Sequence, residues 1–135
     1  MENIKFDTWV KDRINFSDDD KQKCIRITND IMDIAVEVRR NGILSLYGKI
    51  QEAGDWSVYK DKFVRKALTL AIDSASADEL KKIMQDEIME KDSKGTELLK
   101  YILIVEGVAG IIDGNSMLKI AVDLVPYFGE NYFID

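Results

Sequence analysis

The residues of this chain that could carry out chemistry are few, and their types narrow the field at once. There is no histidine and a single cysteine. The side chain that titrates near neutral pH, also the commonest transition-metal ligand, is therefore missing, and nucleophile pairs built on it are excluded. Cys24 sits between Lys23 and Ile25 in a helical pattern, without a second thiol for an internal disulfide or a multi-thiolate site. That cysteine usage implies a reducing, cytoplasmic compartment. The remaining candidates are carboxylates. Asp86 and Glu90 stand four apart beside Glu87, the spacing of neighbours on one exposed helix face rather than of a pair sharing a cleft. Glu106 is the one charge in the apolar run from Tyr101 to Ile112, so it must reach the surface, find a base, or serve a function. Pairing or a peripheral position is the simpler expectation. Asp18, Asp19 and Asp20 follow Ser17 as an N-cap and acidic first turn would, and the glycine and distal glutamate of a calcium loop do not follow. No glycine cluster precedes a helix as a phosphate loop needs; Gly107 and Gly110 lie inside an apolar segment, where they permit close helix packing. The expected answer is a non-enzymatic protein without cofactor or metal.

The elements that must position these residues read as helices throughout. Apolar residues recur at helical spacing, and one proline and eight glycines interrupt them little. We expect an all-α compact bundle or array of five to six helices in one domain over 1–135. A short amphipathic stretch covers 1–16, with Ile4, Phe6, Trp9, Val10 and Ile14. A stripe of Cys24, Ile27, Ile31, Ile34, Ala35 and Val38 then leads to Arg39-Arg40, and Asn41-Gly42 marks a helix end or a tolerated glycine. A second piece covers Ile43 to Ala53. Asp55 is expected to open the next helix, with Val64, Ala67, Leu68, Ala71 and Ile72 inward. Ser76 and Glu79 form a capping box for a helix burying Leu80, Ile83, Met84 and Ile88. After a polar loop from Lys91 to Gly95, Leu98 to Ile112 is apolar almost all round and should be the centre of the core. Gly114 caps it, and Met117, Ile120, Ala121, Leu124, Val125 and Phe128 form a last stripe that Pro126 ends or kinks. No internal repeat is visible, although such an array can hide degenerate helix pairs. The apolar run of 101–112 is too short for a bilayer span, and the first residues lack a signal-peptide pattern.

Charge gives the functional lead. Nineteen basic against 25 acidic residues leave a net charge of -6, which opposes coating of nucleic acid or an anionic membrane. The distribution is bipolar. Residues 39 to 66 hold seven basic side chains (Arg39, Arg40, Lys49, Lys60, Lys62, Arg65, Lys66) against three acidic, a balance of +4, and residues 73 to 92 hold seven acidic against three basic, a balance of -4. Such a surface steers a charged protein partner. Two ordinary solvated helix faces would have the same composition, and Arg39-Arg40 also suit a helix C-terminus electrostatically.

Three ordered blocks add a resemblance. Arg39-Arg40-Asn41-Gly42-Ile43-Leu44-Ser45-Leu46 is one; Phe63-Val64-Arg65-Lys66-Ala67-Leu68 through Ile72-Asp73, then Asp78-Glu79-Leu80 and Glu87-Ile88, is the second; Glu106-Gly107-Val108-Ala109-Gly110-Ile111 with Gly114-Asn115 is the third. Together they resemble the cytoplasmic region of the flagellar motor stator A subunit (MotA) family, over about residues 39–128, with 1–38 divergent. In that family membrane spans precede the first block and separate the second from the third; here Lys91 to Thr96 stand in the second place. The resemblance thus implies no ion conduction, only the family's electrostatic contact with the rotor switch protein. It places Arg39 at the basic rotor-contact position, while Tyr47 replaces the partnering glutamate, Ser74 the turn glycine and Ser116 the proline after Asn115. The expected partner-binding set is Arg39, Arg40, Tyr47, Lys62, Arg65 and Lys66. Alternatives are an unrelated helical adaptor or regulator that binds another protein or self-associates, favoured if Trp9, Trp56 and Tyr59 share an exposed patch, and a small helical enzyme with a pocket converging on Glu106 or the 86–90 carboxylates.

Overall fold

The computed structural model of the chain describes residues 18–127 apart from residue 56. The amphipathic stretch at 1–16, the cap at Ser17, Trp56 and Phe128 lie outside the described residues. Among the described residues there are six α-helices, α1 (Asp18–Asn41), α2 (Ser45–Glu52), α3 (Lys62–Ile72), α4 (Ala77–Lys91), α5 (Gly95–Ile112) and α6 (Met117–Leu124), with short 3-10 turns at Val58–Lys60 and Val125–Tyr127. The fold is all-α.

The most apolar helix is the axis of the fold. α5 packs against α1, α3, α4 and α6, and buries Leu98, Leu99, Leu103, Ile104 and Val108. Two glycines make this crowding possible. A Cβ at Gly107 would stand 2.5 Å from Cγ2 of Ile31 on α1, and one at Gly110 would stand 3.0 Å from Cγ1 of Ile120 on α6. Neither helix could approach α5 so closely across a larger side chain. α1 presents Cys24, Ile31, Ile34 and Ala35 to this core, and the hydroxyl of buried Thr28 donates to the Cys24 carbonyl at 2.9 Å, which removes the penalty of burying it.

Local chemistry sets the helix ends. α1 stops where Gly42 takes φ +85° and its N–H bonds back to the Val38 carbonyl at 2.8 Å, a left-handed C-terminal cap. The capping box is present, with the Glu79 N–H donating to Ser76 Oγ at 3.1 Å and the Ser76 N–H donating to Glu79 Oε1 at 3.0 Å. Three expectations need correction. The helix expected from Asp55 begins at Lys62, because Asp61 rather than Asp55 caps it, accepting from the N–H groups of Phe63 (2.9 Å) and Val64 (3.1 Å). Ile83 on α4 and Met117 on α6 are 42% and 44% exposed, at the edges of stripes whose centres, Leu80, Met84 and Ile88 on α4 and Ile120, Ala121 and Leu124 on α6, are buried.

The structure also contains a repeat that the residues alone hid. α3 with α4 and α5 with α6 are related by an offset of 40 residues, and their turns coincide bond for bond. Ser74 N–H bonds to Ala71 O (3.1 Å) and Ala75 N–H to Leu70 O (3.0 Å); Gly114 N–H bonds to Ile111 O and Asn115 N–H to Gly110 O, both at 3.0 Å. Ser74 and Gly114, at φ 74° and 77°, fill the same left-handed position, and Ser76 and Ser116 cap the following helices. Buried positions correspond too: Phe63 and Leu103, Val64 and Ile104, Leu68 and Val108, Leu80 and Ile120, Met84 and Leu124.

Candidate interaction surface

The six residues expected to bind a partner lie at two places. Arg39 and Arg40 occupy the exposed last turn of α1, followed by Gly42 and the start of α2. This corner is tied by a polar chain: Asn41 Nδ2 donates to Glu37 Oε2 at 2.8 Å, Ser45 Oγ donates to the Gly42 carbonyl at 2.7 Å, and Lys49 approaches Glu37 Oε1 at 3.7 Å. The Asn41 amide, then Ser45 and Lys49, hold the Glu37 carboxyl below its usual range. On α2 one side faces inward through fully buried Leu46. The opposite side presents Leu44, 71% exposed, and Tyr47, 59% exposed, three residues apart and therefore adjacent. Arg39 also lines a groove of about 250 Å³ between α1 and the α5–α6 turn, with Ala35, Val38, Ile111, Gly114 and Asn115.

Lys62, Arg65 and Lys66 are on α3, Lys62 and Lys66 exposed and Arg65 partly so. Lys62 and Lys66 border a second groove, of about 420 Å³, with Glu87 and Lys91 from α4 and Lys100 and Tyr101 from α5. Lys66 pairs with Glu87 at 3.0 Å and Lys100 pairs with Asp61. Burial alone would raise the Asp61 carboxyl; the Lys100 bond and the Val64 and Phe63 N–H groups outweigh it and hold it below the usual range. The Phe63 and Tyr101 rings meet at 4.4 Å, and the Lys91 ammonium lies 5.7 Å from the Tyr101 centroid. Burial and the bond to Glu97 push the Tyr101 phenol up to about 12, so it stays neutral at physiological pH. Arg39 and the pair Lys62 and Lys66 thus border different grooves.

The carboxylates singled out from the sequence find ordinary places. Glu106, part-exposed, approaches Lys81 of α4 at 3.5 Å, the pairing expected for a charge in an apolar helix. Asp86 and Glu90 are exposed, and Glu87 turns toward Lys66. Tyr59 is part-buried, with its phenol pushed up to about 12 by burial and by Glu37 and Asp33; Trp9 and Trp56 lie outside the described residues. Residue-by-residue reasoning missed Leu44, Lys91, Lys100 and Tyr101. The placement of Leu44 was available from its spacing, since it shares a face with Tyr47 opposite Leu46. Lys100 and Tyr101 join the second groove only through tertiary packing.

No protein-family model, curated protein or solved structure matches the chain.

Proposed function

We propose that this chain is a non-catalytic, cytoplasmic protein-interaction domain that docks its partner through the α1–α2 corner. One observation carries this: Leu44 and Tyr47 stand outside a core that takes in nearly every other large apolar side chain of α1 to α3, next in the chain to two exposed arginines. Aromatic and arginine side chains supply most of the binding energy at protein interfaces, and a solvated leucine beside them gains from being covered. The positive corner in a chain of net charge -6 favours an acidic docking site and speeds encounter with it. The resemblance of the three blocks to the stator A subunit family suggests rotor or stator components as that partner. Lys62, Arg65 and Lys66 belong to the same basic segment and would extend the field, not the contact, since all three lie on α3 and Lys62 and Lys66 border a separate groove.

The test is capture of partners by the tagged chain from its own cell lysate, with Arg39→Glu and Tyr47→Ala alongside. Recovery of rotor or stator components, lost with either variant, supports the proposal. Recovery that ignores both substitutions contradicts the corner as the contact. Unrelated proteins that depend on the corner would favour the alternative, an adaptor or regulator outside the motor.

A further inference from the structure

The repeat makes a comparison possible between two helices built to one plan. On α4, the solvent-facing positions 78 and 82 carry Asp78 and Lys82, both exposed. The positions forty residues later on α6 carry Leu118 and Val122, 61% and 50% exposed, with Met117 at 44% beside them. The same structural position is thus charged in one copy and aliphatic in the other, although both face away from the core. Leu118 and Val122 are four apart and form one row along α6. The adjoining row is Lys119 and Asp123, also four apart and paired at 3.1 Å, with both side chains more than half exposed.

We propose that this face of α6 is where two copies of the chain meet, with the two α6 helices antiparallel about a twofold axis. The charge order selects this occupant. When antiparallel helices pack through one row, the flanking row of each faces the same row of the other in reverse order. Leu118 then packs against Val122 of the second copy, and Lys119 stands opposite Asp123 of the second copy on the rim. A parallel arrangement would carry the two Lys119–Asp123 rows to opposite sides of the contact, where neither meets the other. The surface is distinct from the α1–α2 corner and does not depend on its role. An eight-residue helix is only about 12 Å long, so the contact falls below the standard interface size and self-association is weak.

Sedimentation equilibrium of the full chain, run in low salt from about 10 μM to about 1 mM, tests this. The weight-average mass should rise from the 15.4 kDa monomer toward twice that value. Leu118→Asp with Val122→Lys restores the residues that α4 carries at these positions, so the fold should be kept, as unchanged circular dichroism will verify, while association drops at least tenfold. Asp123→Lys alone should weaken association, and adding Lys119→Asp should restore it. Monomer mass across the whole range would overturn the proposal. So would association that the Leu118 and Val122 substitutions leave intact, or a charge reversal that does not restore it.

Discussion

Gly107 concentrates the packing logic of the molecule at one atom. In an exposed helix, replacing glycine with alanine stabilises by roughly 0.5–1 kcal/mol, because the unfolded chain loses freedom. Here the new methyl would sit 2.5 Å from a methyl of Ile31, a fully buried, β-branched side chain with little rotamer freedom on α1. Overpacking of this kind costs about 1–3 kcal/mol, so it wins. Gly107→Ala should lower stability by about 1–2 kcal/mol, seen as a lower urea midpoint with an unchanged slope. Gly48 on α2, with nothing within 4 Å of its Cβ position, provides the opposite case, and alanine there should raise the midpoint. The role of Gly107 in close packing was legible from its place in an apolar run; that Ile31 is its neighbour was not, since nothing in the local pattern of α5 specifies which helix crosses it.

At the scale of elements, the sequence was informative wherever a local rule sets the structure. The Ser76–Glu79 capping box, the end of α1 at Gly42 and the central apolar helix all follow from interactions within a turn or two. The start of α3 did not, because Asp55 and Asp61 are equally good caps in isolation. What separates them is that Lys100 from α5 reaches Asp61, a contact 39 residues away. The repeat stayed hidden for a related reason. Its signature is a left-handed turn position that carries glycine in one copy and Ser74 in the other, with different polar faces on the flanking helices. A non-glycine residue there bears a steric cost of roughly 1–2 kcal/mol, partly offset by the greater freedom of glycine when unfolded. Ser74→Gly should therefore stabilise by about 0.5–1 kcal/mol and raise the thermal midpoint by a few degrees, whereas Gly114→Ala at the equivalent position should lower it.

For the whole molecule, the distribution of charge and exposed apolar surface matters more than any single pocket. The basic segment that composition marked as one face is divided by the fold between the α1–α2 corner and the α3–α4–α5 groove. In the groove two of the four lysines are already engaged, Lys66 by Glu87 and Lys100 by Asp61. The corner keeps its arginines exposed beside Leu44 and Tyr47, and the residues that hold it in place, Glu37, Asn41 and Ser45, bond to each other or to the local backbone. A preorganised backbone with free side chains lowers the ordering cost of association. The sequence located the arginines and Tyr47 by resemblance, but which of the basic residues would stay together depended on how α2 folds back between α1 and α3.

The most direct test of the corner as a docking surface is site-specific photocrosslinking in the native cell. Benzoylphenylalanine replaces Tyr47 in one variant and Lys82, exposed on α4, in another. A docking corner at α1–α2 gives a discrete adduct with another protein from position 47, lost when Arg39→Glu is added, and no such adduct from position 82. An absence of adduct at 47, or the same adduct from both positions, would contradict it.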